Sequence, residues 1–547
     1  MTLFVYETLY QYSYLAETFK VVPLLAADFP KVSPDRLTYT IPLKPGVRFQ
    51  DDPCFEGGKG REVRAQDYVY AWKRHALPSL QSQGWWIFDG KLAGINAFHD
   101  KLANASSAKE NKKTFDKLFE SEAIEGVKAL DEHTLQIKLV KPYPQLMWVL
   151  AMPFTSPLPP EAIAKYGDES GNLTDHPVGT GPYMLKEWER SRRITLVRNP
   201  NHHAEFYPTE GAADYRKKGL LVDAGKQLPF IDKLTLDVMR ESQPRWLGFL
   251  NGNLDSLEIP KDNFNQAVSQ GSDISPELAG KGIRLNIETG VVFRYISFNV
   301  KDRLFSNRNL RQALSAAIDR GKWIEIFTNG TGRKMVNSLP PGIPDRPAKS
   351  KLKFDFDLKA ARDLLKKAGY PEGKNLPIIN FDLRGADTVS RQFGDFIQRQ
   401  WEQIGVKTNV VANTFPAYLE KMKQGQLQVS YGGWSMDYPD GENVFQLLYG
   451  PNKSPGPNDS NYENPETDRL YDEISVMAPG PKRAALVAKF DDLIQEDCPW
   501  AFGYYEATYV LTQPWLLNYR VGEIITNKYK YLRLNSDIKK QYRKGGH

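Results

Sequence analysis

Cysteine is almost absent from this chain: Cys54 and Cys498 are the only two in 547 residues. No CxxC, HExxH or Cys/His cluster occurs, so neither a zinc ribbon nor a zincin centre is expected, and spacing supplies no metal site or cofactor motif. The two cysteines are either one disulfide closing a very long loop or two buried thiols, and their spacing leaves both open. Long apolar runs are missing too. The longest, "LMWVLAMPF" at 146–154, carries Pro153 and falls well short of the roughly 18–20 residues that cross a bilayer. Charge of one sign is scarce: the net charge is +6 and the basic residues are scattered, which argues against a nucleic-acid partner. The basic stretch "DIKKQYRKGGH" at 537–547 reads as a solvated tail. The opening "MTLFVYETLYQYSYL" has neither the basic start nor the small-residue cleavage site of a secretory signal, and it reads as a strand. GxSxG and P-loop motifs are absent. "GTGPY" at 179–183 lacks GxGxxG spacing and reads as a structural turn.

What remains is the composition of an ordinary globular protein, 41% hydrophobic and 25% charged. The length exceeds one compact domain and suits two to four. Aromatic residues reach 12%, enough to line a ligand cleft or to fill large cores.

Strands and turns alternate through the first third, with "LTYTIPLKPGVRF" (37–49) and the pair within 123–144 as the clearest strands and "AQDYVYAWKRHAL" (65–77) as a helix. Further strands are expected at 192–200 and 231–239. The middle then alternates strand and helix. Strands are expected at 294–300, 378–385, 406–412 and 428–434, and helices at 307–330, 357–370, 390–405 and 415–427. That order predicts an α/β domain. The last 60 or so residues return to strand-like sequence at 501–515 and 528–535. A chain that leaves one domain, builds another and returns predicts a two-lobed protein with a cleft.

One turn stands out: "YGGWSMDYPDGENVF" at 431–445. Gly432 and Gly433 are expected to let the backbone turn sharply after a strand. Ligand pockets in α/β sheets lie at strand carboxyl ends, so Asp437 is well placed for binding. Trp434 and Tyr438 are read as pocket wall or core. Asp440 and Glu442 are read as surface turn residues, because "PDGE" is turn chemistry. A hydrolase pairing Asp437 with Asp440 or Glu442 is the enzymatic alternative. The His202-His203 pair is read as surface loop.

Several ordered segments resemble the large ABC-transporter solute-binding proteins of the oligopeptide and dipeptide type, family 5. They are "VYETLYQY" with "VVPLLAADFPKVSPDRLTYTIPLKPGVRFQDD", "REVRAQDYVYAWKR", "HPVGTGPYMLKEWERSRRITLVRNPNH" (176–202), "YISFNVKDRLFSNRNLRQALSAAIDR" and "ARDLLKKAGY". Each is weak alone; five in order span nearly the whole chain. The resemblance implies an α/β periplasmic-binding-protein-like fold of the three-domain type, with a hinge and an interlobe cleft. The domains would be a small β-rich one at 5–174, a discontinuous one at 175–288 plus 489–547, and a second lobe at 289–488. It implies a monomeric, extracytoplasmic binder (periplasmic or extracellular) that delivers short peptides to a membrane permease and is not an enzyme. Metal chelates, haem, oligosaccharides and opines are alternative solutes on the same scaffold.

In relatives of this type a "G-W-x-x-D-Y" segment offers an aspartate to a peptide's ammonium, and Gly433, Trp434, Asp437 and Tyr438 fit it. Tyr431 stands where some tripeptide binders carry an arginine. The resemblance also places Cys54 and Cys498 as neighbours, a candidate disulfide, and suggests that roughly 40 residues of the family's N-terminal segment precede the part present here.

Overall fold

The computed structural model describes residues 2–103, 107–269, 273–522, 524 and 527–544. The chain forms two compact units, one of Met1–Leu257 with Thr512–His547 and the other of Glu258–Leu511.

In the first unit the opening segment is not the expected strand. Thr2–Val5 is a short helix, and only Tyr10–Tyr12 (β1) pairs, with Val21–Pro23 (β2). A four-stranded antiparallel sheet follows, formed by Lys31–Val32 (β3), Thr38–Pro42 (β4), Val127–Asp131 (β5) and Thr134–Lys138 (β6) in the order β3-β4-β6-β5. Its alternation is visible in the sequence: Tyr39 and Ile41 of β4 face the core with Leu135 and Ile137 of β6. The expected helix is Ala65–Arg74, with the Asp67 side chain accepting from the Arg64 N–H. Tyr183–Glu189 (β7), Arg193–Arg198 (β8) and Lys233–Asp237 (β9) form a second antiparallel sheet. Phe4 and Val5 pack on it with Leu516 and Leu532, so both ends of the chain share one core. A Cβ on Gly179 would lie 2.1 Å from the Val5 carbonyl oxygen, and one on Gly181 2.4 Å from that of Phe4. These glycines permit close backbone packing.

The strands of the second unit, of which the first and last run over its boundaries, are Ser256–Glu258 (β10), Val268–Ser269 (β11), Asp273–Ile274 (β12), Arg284–Phe298 (β13), Arg333–Lys334 (β14), Ile379–Leu383 (β15), Thr408–Ala412 (β16), Val429–Ser435 (β17) and Trp500–Thr512 (β18). β11 and β12 pair with each other, and the rest form a seven-stranded mixed sheet in the order β10-β18-β13-β17-β15-β16, with β14 on β18. β15 is parallel to β16 on one side and to β17 on the other. The chain therefore runs from β15 through helix Thr388–Glu402 to β16, then through helix Phe415–Lys423 to the opposite flank of β15. Trp323, Phe381, Phe393 and Trp401 anchor the core under these helices.

The expected helix over 307–330 is two helices, Arg308–Ala316 and Arg320–Thr328. The break follows from Asp319, whose carboxylate accepts from the Lys322 N–H and so starts a new helix. The 528–535 segment is mostly the single turn Lys528–Tyr531, followed by Arg533–Leu534 (β20), which pairs with Leu516–Leu517 (β19). Cys54 and Cys498 are both free thiols, so the candidate disulfide is not formed. Cys54 is held beside Asp52, whose carboxylate accepts its N–H at 2.8 Å. Cys498 ends helix Pro481–Asp497 and is buried in the second unit's core.

Candidate functional site

β15 has parallel neighbours reached in opposite directions, so its carboxyl end and that of β17 form a topological switch point, where α/β sheets bind ligands. The register Phe381↔Val429 and Asp382↔Ser430 brings Arg384, just past β15, level with Gly432 of β17, and its side chain reaches on to Gly433. Arg384 donates from Nη1 to the Gly433 carbonyl at 3.2 Å. It forms no ion pair among the described residues, and its guanidinium lies 5.4 Å from the Phe415 ring centroid and 5.9 Å from that of Tyr418. The sequence reading missed this residue, because an arginine after a strand has no distinguishing local pattern.

Gly432 and Gly433 do not make the turn. Both lie inside β17, paired with Tyr295 and Arg294 of β13. What they supply is space on the two faces of the strand. A Cβ on Gly433 would meet Arg294 Nη1 at 2.5 Å and Arg384 Nη1 at 3.0 Å, while one on Gly432 would meet the Tyr295 ring at 2.3 Å. Tyr295 cannot retreat, because it is buried and stacked on Trp500 at 4.0 Å. Gly432→Ala is expected to destabilise the second unit by about 1–3 kcal/mol through overpacking, read as a lower urea midpoint. Gly433→Ala displaces only flexible arginine side chains and is expected to cost much less stability.

The turn itself is Met436–Gly441, held by Asn443. This fully buried residue accepts from Trp434 Nε1 at 2.9 Å and from the Asp437 N–H at 3.0 Å through the same oxygen. Its amide nitrogen donates to Asp437 Oδ2 at 3.0 Å. Asp437 is partly exposed and has no cationic partner among the described residues. Burial pushes its carboxyl above the usual aspartate range, against the opposing pull of the Asn443 hydrogen bond. A partly desolvated carboxylate held by one amide carries a desolvation cost that a positive charge would offset.

The neighbouring acids are not surface residues, contrary to the turn reading. Asp440 is 2% exposed and pairs with Arg483, which also reaches Asp345 at 2.9 Å. Glu442 is buried and accepts from the Tyr438 hydroxyl at 2.5 Å and the Tyr471 hydroxyl at 2.5 Å. Thus Tyr438 braces the turn from the core. The hydrolase alternative loses its second carboxylate, since both neighbours of Asp437 are engaged within the fold. Tyr431 lies against Phe393 at 4.3 Å between ring centroids.

A second buried acid, Asp459, accepts from Ser297 Oγ at 2.9 Å beside the same sheet. Burial pushes its carboxyl up from 3.8 to about 6. The folded carboxyl keeps its proton to higher pH than the unfolded one. Its contribution to stability is therefore full below about 3.8 and is lost as pH rises through about 6. Asp459→Asn is expected to raise stability by up to about 3 kcal/mol at alkaline pH and to change little in acid. Urea unfolding across that pH range measures the difference.

Two partly open pockets are each lined by residues of a single unit. One of about 450 Å³ in the first unit is lined by Tyr6, Arg74, His75 and Phe154 among others. The other, about 280 Å³ in the second unit, is lined by Glu258, Phe327, Tyr504 and Glu506 among others. Glu506 pairs with Arg294 at 2.5 Å. Asp437 lines neither cavity. His202 and His203 were expected on a surface loop, but their side chains are only 3% and 7% exposed. Among the described residues, no helix is long and apolar enough to cross a membrane.

Comparison with known proteins adds an independent observation. The family model described as "Bacterial extracellular solute-binding proteins, family 5 Middle" matches residues 20–456. The chain is similar to the haem-binding protein A of Haemophilus influenzae, 25% identical over 88% of this chain and 78% of that one. It is also similar to the dipeptide-binding protein of Escherichia coli, 26% identical over 79% and 71%. Among solved structures, the ABC transporter-associated periplasmic binding protein DppA from Helicobacter pylori, in complex with the peptide STSA, superposes with a TM-score of 0.74. That likeness has 23% identity and covers 97% of this chain and 92% of the other.

Proposed function

Because the chain belongs to the bacterial extracellular solute-binding proteins, family 5, we propose that it binds short peptides outside the cytoplasm and delivers them to the permease of an ABC importer. The observation that carries the peptide reading is Asp437, partly buried, held by Asn443 and without a cationic partner among the described residues. A peptide's α-ammonium supplies that partner. Arg384, at the end of the neighbouring strand, offers the opposite charge for a carboxylate. Trp434, Gly433 and Tyr431 form the wall around them, and Tyr438 supports the turn from behind. The likeness to a dipeptide-binding protein and to a peptide-bound structure supports the same reading. The protein acts as a monomeric binder and leaves its solute chemically unchanged. The three-domain division is part of this proposal.

The likeness to a haem-binding protein favours a second solute on the same scaffold. Native mass spectrometry of the freshly purified protein, repeated after denaturation, separates the two. A spread of short peptides released intact is the expected result. A single mass matching haem would keep the family and replace the peptide.

A further inference from the structure

The strongest unassigned feature lies in the first unit, away from the Asp437 turn. Glu7 follows the opening helix, His202 and His203 follow β8, and Glu205 leads into the next turn. One donor atom from each lies within 4.8 Å of every other. His202 Nε2 is 3.0 Å from Glu7 Oε1 and 3.8 Å from Glu205 Oε2, and His203 Nε2 is 3.3 Å from Glu7 Oε2. A tetrahedral zinc with bonds of 2.0–2.1 Å sets its donors about 3.3 Å apart, so these separations already approach coordination geometry.

Hydrogen bonding points the same way. Glu7 is 2% exposed and His203 7%, yet neither Glu7 Oε2 nor His203 Nε2 has a hydrogen-bond partner among the described residues. Two facing donor atoms buried without hydrogen bonds are costly for a structural ion pair and are what a cation between them would satisfy. Glu205 is held in place by Lys530 Nζ, 2.8 Å from each carboxylate oxygen, and by Gln11 Nε2, which donates to Oε1 at 2.8 Å; Oε2, the oxygen facing His202, keeps further acceptor capacity beside the lysine.

We propose that Glu7, His202, His203 and Glu205 form a binding site for a zinc-class divalent cation, which ties the opening segment of the first unit to the segment after β8. The motif scan of the sequence could not find it, because Glu7 and His202 are 195 residues apart and only two ligands are adjacent histidines. The site is independent of the proposed solute.

The test uses the full-length chain stripped with a chelator and titrated with Zn²⁺ alone. One equivalent is expected to bind, with a raised melting temperature. X-ray absorption of the wild-type zinc-loaded protein should show an N/O shell at about 2.0–2.1 Å containing two imidazoles. His203→Ala and Glu7→Gln should each weaken binding by about 100-fold or more, whereas His99→Ala, which among the described residues contacts Asp100 and Trp85 and none of the four ligands, should leave it unchanged. Absence of a stoichiometric zinc in the wild type would overturn the proposal. So would an absorption spectrum without histidine, a result that holds even if the variants fold poorly.

Discussion

Asp437→Asn is expected to abolish tight binding of an amine-bearing peptide while leaving the free protein at least as stable as its parent. The two effects have one cause. Burial holds the Asp437 carboxyl above its ordinary range, so at neutral pH the folded protein bears the cost of a charge that water would stabilise better. A bound ammonium offsets that cost; asparagine removes it. The substituted side chain still presents an oxygen to the Asn443 amide, which now donates to Oδ2 at 3.0 Å. The lost pair is worth about 2–5 kcal/mol, and a loss of about 2.8 kcal/mol is already a hundredfold in affinity. Calorimetric titration beside a thermal melt checks both halves. Unchanged affinity would remove Asp437 from the site, and a large drop in melting temperature would make it a structural residue.

Arg483→Leu is expected to have the largest effect on stability. Arg483 is fully buried and holds two acids, Asp345 and Asp440, while its Nε donates to the Ile474 carbonyl at 3.2 Å. Removing the cation leaves two buried carboxylates with their shared counter-charge gone, and breaking one buried pair already costs about 3–5 kcal/mol. The same change loosens the Asp437 turn, because Asp440 Oδ1 also accepts from the Glu442 N–H at 2.9 Å, at the start of the short helix that carries Asn443. Urea unfolding should show a lower midpoint for the second unit, and peptide affinity should fall with it. The triple variant Arg483→Leu, Asp345→Leu and Asp440→Asn should recover most of the stability. If it recovers none, packing around Arg483 matters more than charge.

The sequence disclosed the fold to the extent that local pattern encodes it. Alternation marked β4 and β6, apolar spacing marked the helix Leu358–Lys367, and a strand–helix rhythm announced the α/β unit. Where one side-chain bond decides, pattern misled: the Asp319 cap split an apparently continuous helix. At the proposed site, Asp437 and Trp434 were singled out by their place after a strand and by the resemblance. Asn443, which holds both, was not, since an asparagine in a turn and a buried amide hub look alike in sequence. Arg384 and the Glu7–His203 cluster depend on strand register and on contacts between distant segments, which no local window contains. Asp440 and Glu442 were misplaced for the opposite reason. Their turn chemistry is real, but Arg483, Tyr438 and Tyr471 bury them.

The central claim is that Asp437 receives a ligand's positive charge. Calorimetric titration of refolded, ligand-free protein with an alanine tripeptide and with its N-acetylated counterpart tests it most directly. The account predicts that the free-amine peptide binds and that acetylation weakens it by about a hundredfold or more. Equal affinity for the two peptides would contradict it, because acetylation removes the ammonium and leaves the rest of the chain to bind as before.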